Sequence, residues 1–164
     1  MAVTSEFKLK LRTVIPVFQL MTAEGKAIST WDFKGQRNMV LIFLPGEGCA
    51  ECNEFLRVIV NMYHQFEEET AVVLPIVQGN SEKAVAIRDE LRPQFPVLFD
   101  ETGVVTSMYT DHLPAVFVTD RFGELRAEWI AGPGHQFPPH KDILDALELI
   151  ELECPECGAP LDWS

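Results

Sequence analysis

The stretch Met39-Val40-Leu41-Ile42-Phe43-Leu44-Pro45-Gly46-Glu47-Gly48-Cys49-Ala50-Glu51-Cys52 constrains this chain more than any other. An unbroken apolar run ends in a Pro-Gly-x-Gly turn, and the turn delivers a Cys-x-x-Cys. Beyond it the pattern changes: Phe55, Ile59, Met62 and Phe66 recur at spacings of four, three and four, the period of an amphipathic helix. The order is therefore buried strand, tight loop, cysteine pair, helix running from about residue 50 to 66. That order puts Cys49 at or near the first free N–H groups of a helix, where the positive end of the dipole favours a thiolate. Cys52 follows about one turn along, close enough to close a small disulfide ring. A reactive dithiol is the chemistry this stretch invites.

At 164 residues the chain suits one domain with a sizeable core. A net charge of −12 argues against nucleic acid or an anionic membrane surface as partner, and the acidity reads as a solubility feature. The opening Met1-Ala2-Val3-Thr4-Ser5-Glu6-Phe7-Lys8 has neither a basic n-region nor an apolar h-region. No run approaches the ~18 apolar residues of a membrane span. The expected location is cytoplasmic. All four cysteines fall in two C-x-x-C pairs, which in a reducing compartment point to redox or metal chemistry before structural disulfides.

Residues 1–12 alternate loosely and read as an edge strand. A hairpin follows, with Val14 to Leu20 and Ala27 to Ser29 flanking a turn in which Gly25 is placed for positive φ. Trp31 to Gly35 reads as a short helical turn. After the dithiol helix, Ala71 to Val77 is a second buried strand, with Pro75 awkward in its middle. Ser81 is the expected N-cap of a helix to about Leu91. Val97 to Phe99 is a strand stub, and 100–109 a short helix or turn. Pro114 opens a hairpin, Ala115 to Thr119 and Glu124 to Ile130, with Gly123 at the bulge position. A last amphipathic helix from about His140 to Leu152 buries Ile143, Leu147 and Ile150. Strands alternating with helices indicate an α/β fold with a mixed central sheet. We divide the chain into a domain at 1–152 and a tail at 153–164.

Several phrases resemble one family. Ile15-Pro16-Val17-Phe18-Gln19-Leu20, Gly25-Lys26-Ala27-Ile28-Ser29 and Asp32-Phe33-Lys34-Gly35 are similar to the opening of the redoxins, which include the peroxiredoxins of the alkyl hydroperoxide reductase and thiol-specific antioxidant type and their thioredoxin-like relatives. Phe95-Pro96-Val97-Leu98-Phe99-Asp100 and the segment from Leu113 to Arg126 resemble later parts of the family, so the likeness covers about residues 14–150. It implies a thioredoxin-like fold with helices on both faces of the sheet. It implies that Cys49 attacks and Cys52 resolves, that Pro114 is a cis-proline beside the dithiol, and that Arg126 helps hold the active cysteine as thiolate. No organic cofactor is implied; the substrate is a protein disulfide or a hydroperoxide, and electrons come from a cellular dithiol donor of the thioredoxin kind. The place three residues before Cys49, where peroxiredoxins carry Thr or Ser, holds Gly46.

Other readings stand beside these. Two inert buried thiols, a redox sensor, or a metal-binding interaction protein would each use the same cysteines differently. Glu47 and Glu51 flank the pair as a solvated acidic rim or as proton acceptors. His112 is a loop histidine near Pro114, His64 falls on an exposed helix phase, and His135 and His140 are weak metal candidates. Cys154-Pro155-Glu156-Cys157-Gly158 resembles one knuckle of a zinc ribbon. A structural zinc wants four ligands and the tail supplies two, so a site shared by two chains, and hence a homodimer, is the economical completion.

Overall fold

The structure, a computed structural model, describes residues 7–46, 49–131 and 137–153. The tail cysteines Cys154 and Cys157, and with them the proposed zinc knuckle, lie outside the described residues, as do Glu47 and His135.

The elements run β1 (Gln19–Thr22), β2 (Ala27–Ser29), a 3-10 turn (Thr30–Phe33), β3 (Asn38–Leu44), α1 (Ala50–Asn61), α2 (Tyr63–Glu68) and β4 (Ala71–Gln78). They continue with α3 (Ser81–Leu91), β5 (Leu98–Asp100), α4 (Val104–Tyr109), β6 (Ala115–Thr119), β7 (Leu125–Ile130) and α5 (His140–Leu152). One mixed sheet of seven strands has the order β2-β1-β5-β4-β3-β6-β7. β3 pairs in parallel with β4 and antiparallel with β6, so it lies at the centre.

That position explains its composition. A strand with neighbours on both edges and layers on both faces exposes nothing, and every residue of β3 is 3% exposed or less. Successive side chains go to opposite faces. Val40, Ile42 and Leu44 join Phe55, Ile59 and Leu147 in one core, under α1, α2, α3 and α5. Met39, Leu41 and Phe43 join Phe18, Tyr109 and Phe117 in the other, under α4 and residues 9–18. The second core is aromatic: Phe43 sits 4.9 Å from Tyr109 and 5.7 Å from Phe117, ring centre to ring centre. Helices therefore do cover both faces, though unevenly. Among the described residues no helix is long and apolar enough to cross a membrane.

Three local expectations need correction, and Pro75 finds its explanation. The edge strand expected at 1–12 is absent over the described residues 7–11; pairing starts at Arg12, whose N–H donates to the Leu125 carbonyl, and continues where Val14 bridges Glu124 and the Ile15 N–H donates to the Gly123 carbonyl. The long helix breaks at Met62, whose N–H is shared by the Val58 and Ile59 carbonyls. The break lets Tyr63 and Phe66 bury against the sheet as a second short helix. Ser81 is the first helical residue of α3, and Asn80 is the N-cap, without a side-chain bond. Pro75 lies in an interior strand opposite Ile42, but β5 joins β4 only from Ile76 onward, so one flank of the proline faces no paired strand.

Candidate active site: a dithiol at a helix start

The chain leaves β3 through Pro45 and Gly46 and enters α1 at Cys49. Gly46 passes so close to β4 that a Cβ there would collide with the Gln78 backbone carbonyl. Position 46 can thus carry no side chain, which is the physical reason the hydroxyl of the peroxiredoxin pattern has no place in this loop.

Cys49 is the N-cap of α1, with extended backbone (φ −136°, ψ 102°), and its sulfur accepts the Cys52 N–H at 3.2 Å. This is the role Ser or Asp usually plays at a helix start, here filled by sulfur. The two residues are joined as a disulfide with their Cα atoms 5.2 Å apart. Cys49 is half-buried; Cys52 is 3% exposed and packs into the core of α1. The Glu51 carboxylate is exposed and lies 3.9 Å from the Cys49 sulfur. In the reduced state one N–H and the helix dipole both favour negative charge on Cys49.

The remaining expected residues separate into two groups. Pro114 is buried, and the Leu113–Pro114 peptide is cis. Because Ala115 pairs with Phe43, Pro114 lies at the end of the sheet from which the Cys49 loop springs. The exposed His112 keeps its backbone hydrogen-bonded to Thr110 rather than presenting a ligand set.

Arg126 is elsewhere. It is the extra residue where the β6–β7 register shifts, beside Val118 and Thr119, which pair with Val40 and Met39 at the start of β3. Gly123, at φ +81°, makes the turn rather than the bulge. The Arg126 side chain, 7% exposed, pairs with Asp120 at 3.4 Å, Glu124 at 4.0 Å and Glu153. The expectation that it holds the Cys49 thiolate is corrected: a β3 length of roughly 20 Å separates the two places, and carboxylates already occupy the guanidinium.

His140 also has a different role from the metal candidate expected. Its ring stacks on Phe55 at 4.4 Å and a ring nitrogen meets the Phe55 carbonyl at 3.0 Å, with Phe137 stacked on the same Phe55 at 4.0 Å. It fastens the start of α5 to α1 one turn below Cys52. Among the described residues no group of three or more His, Cys, Asp or Glu is placed to hold a metal ion.

One residue beside the dithiol was not singled out in the sequence. A cleft of about 200 Å³ opens against Cys49 and Cys52, and Lys83 of α3 lines it. The signal was there: a cation in the first turn of a helix opposes the dipole.

A seven-stranded mixed sheet, a buried cis-proline and a Cys-x-x-Cys at the first turn of α1 define a thioredoxin-like fold carrying a vicinal dithiol. The comparisons agree. The chain belongs to the AhpC/TSA family, whose model matches residues 11–128. It is 26% identical to a chloroplastic peroxiredoxin Q of Suaeda salsa over 83% of this chain and 65% of that protein. The same identity to peroxiredoxin Q of Triticum aestivum spans 88% of this chain and 68% of the relative. The chain thus covers about two thirds of the length of these relatives. Among solved structures, peroxidoxin BcpB of Mycobacterium tuberculosis superposes with a TM-score of 0.74 at 18% identity, over 87% of this chain and 98% of that one. The thioredoxin domain of a thiol-disulfide oxidoreductase from Bacteroides vulgatus gives 0.69 at 18% identity, over 86% and 97%. At these identities the solved structures bear on the fold alone.

Proposed function

We propose that the protein is a thiol oxidoreductase in which Cys49 attacks and Cys52 resolves. The observation that carries this reading is the N-cap geometry: Cys49 half-buried at the helix start, Cys52 buried one turn below, and their Cα atoms 5.2 Å apart. With a disulfide substrate, the Cys49 thiolate bonds to one sulfur and expels the other as a thiolate. Cys52, having lost its proton, then attacks the Cys49 sulfur and expels the second substrate thiolate. The substrate gains two electrons and the chain is left as the Cys49–Cys52 disulfide, which a cellular dithiol reduces. No step needs an organic cofactor.

A second reading is hydroperoxide reduction, favoured by the peroxiredoxin Q relatives. There Cys49 takes the terminal peroxide oxygen and becomes a sulfenic acid, releasing an alcohol or water. Cys52 condenses with it, forming the same disulfide and releasing water. The exclusion of a hydroxyl at Gly46 weighs toward the disulfide substrate. Stopped-flow oxidation of the reduced chain by hydrogen peroxide, set against reduction of a model protein disulfide, separates the two. Disulfide turnover with slow peroxide reaction is the expected result; inertness to both would overturn the proposal.

For the tail, a zinc site formed by Cys154 and Cys157 of two chains rests on C-x-x-C spacing alone. It predicts about half an equivalent of zinc per chain in protein purified without chelator, lost together with the dimer on mutation of both cysteines. Metal-free protein that stays monomeric when zinc is added would exclude it.

A further inference from the structure

Lys83 breaks the rules of the helix it begins. It is the third residue of α3, in the first turn, where a carboxylate would complement the dipole and a Glu or Gln would close a capping box. The N-cap Asn80 makes no side-chain bond, which leaves Glu82 as the one residue of that turn that complements the dipole. Among the described residues no carboxylate lies within ion-pair distance of the ammonium, although neighbouring Arg57 and Arg88 are both paired. The fold nonetheless steers this side chain. Its stem lies across Gly79, where a Cβ would stand 2.6 Å from Cδ and 2.9 Å from Cε, and it passes 3.8 Å from the Cβ position of Gly46. Two glycines of the loops after β3 and β4 thus leave the trough in which the lysine runs.

The trough leads to the dithiol. The cleft has apolar walls from Leu44, Val77 and Ile87, holds the amide of Asn53, and carries Lys83 as its one ionic side chain among the described lining. A chain of net charge −12 repels anions at long range and the Glu51 carboxylate lies 3.9 Å from the Cys49 sulfur, so an anionic group approaches the dithiol only from the cleft side, where Lys83 offsets that charge. A local rule broken without gain to the fold marks a functional position.

We propose that Lys83 is a specificity-determining residue that selects a peptide disulfide bearing a carboxylate next to the attacked sulfur, the carboxylate meeting the ammonium while the apolar walls take a neighbouring side chain. This rests on the oxidoreductase reading above and adds the substrate class. The attack itself is unchanged.

The test uses three disulfide peptides differing only in Asp, Asn or Lys beside the cysteine, with the full chain and its Lys83→Glu, Lys83→Gln and Lys83→Arg variants. The native chain is expected to favour the Asp peptide over the Asn peptide by about fivefold in kcat/KM, the range of one exposed ion pair. Lys83→Arg keeps the preference, Lys83→Gln removes it, and Lys83→Glu turns it toward the Lys peptide. Because a first-turn glutamate suits the dipole, Lys83→Glu is also expected to melt higher, so its loss of preference is not a folding defect. Equal rates on all three peptides with the native chain, or a preference that survives Lys83→Glu, would overturn the proposal. If no peptide turns over with any variant, the oxidoreductase reading has failed. Binding of the Cys→Ser peptides then decides on Lys83 alone: tighter binding of the Asp form that is lost in Lys83→Glu supports the site, and equal binding refutes it.

Discussion

At the scale of single residues, the division of labour between the two cysteines follows from where each sulfur sits. Cys49 is at the helix cap, half in solvent, while Cys52 is enclosed by the core. Alkylation of the reduced protein at mildly acidic pH is therefore expected to label Cys49 first, and preferential labelling of Cys52 would reverse the assignment. Cys52→Ser should accumulate a mixed disulfide on Cys49, whereas Cys49→Ser should lose turnover altogether, as mass spectrometry of trapped protein will show. Glu128 offers a different residue-scale test. On β7 opposite Phe117, one of its carboxylate oxygens is buried without a hydrogen-bond partner, and desolvation raises its pKa above the usual glutamate value. A raised folded-state pKa means the native state holds this proton more tightly than the unfolded chain does. Its contribution is fully favourable below the unfolded value, near pH 4, and is lost as pH rises through the folded value. Glu128→Gln is thus expected to stabilise the protein at pH 7, on the order of 1 kcal/mol for a partly exposed group. The gain should vanish below about pH 4 in urea titrations, and a gain independent of pH would assign it to packing instead.

At the scale of elements, what the sequence made legible was whatever one period could carry. β3 was readable because an apolar run ending in Pro-Gly has few other uses, and α5 was readable to its ends because Ile143, Leu147 and Ile150 repeat on one stripe. The break at Met62 was not, since Phe55, Ile59, Met62 and Phe66 keep helical spacing straight through it; the turn serves the fit of Tyr63 and Phe66 against the sheet, a tertiary demand. Pro75 was likewise opaque, because the acceptable position depends on where β5 starts. The dithiol and the cis-proline were legible as a motif, whereas Arg126 was misplaced because family likeness gives a position in sequence, not its end of the sheet. Where Arg126 does sit, it neutralises a knot of Asp120, Glu124 and Glu153. Removing it leaves Asp120 buried, though still accepting the N–H groups of Phe122 and Glu124. Arg126→Ala is therefore expected to cost about 2 kcal/mol in urea unfolding, below the 3–5 of a wholly uncompensated buried charge. Turnover per folded molecule should stay within twofold. A tenfold fall in turnover at unchanged stability would return Arg126 to the dithiol.

At the scale of the whole molecule, the Cys49 loop and the end of α5 lie at opposite ends of the sheet. Cys49 follows the C-terminal end of β3, while the end of α5 is fastened at the N-terminal end of the same strand. There the Glu151 carboxylate accepts the Asn38 amide at 2.8 Å, the Thr70 hydroxyl at 3.2 Å and the Arg121 guanidinium at 2.9 Å. Glu153, two residues on, is held by Arg126. Seven strand residues at ~3.3 Å each put roughly 20 Å between the two ends, and a disulfide needs Cα atoms within about 7 Å. Cys154 is bonded directly to Glu153 and so starts about 3.8 Å from its Cα. Three further residues can take Cys157 at most ~11 Å beyond Cys154, so a bond to Cys49 would need nearly the whole stretched length of that segment. The two active-site Cα atoms stand 5.2 Å apart, well inside disulfide reach, so the Cys49–Cys52 cycle is expected to close without the tail pair. In Cys52→Ser protein oxidised at low micromolar concentration, the monomer fraction is expected to contain no Cys49–Cys154 or Cys49–Cys157 bond. Any such bond should appear only in covalent dimers whose yield rises with protein concentration. Peptide mapping of monomer that finds Cys49 joined to the tail would refute this, and would make the tail a resolving arm able to cross the length of the sheet.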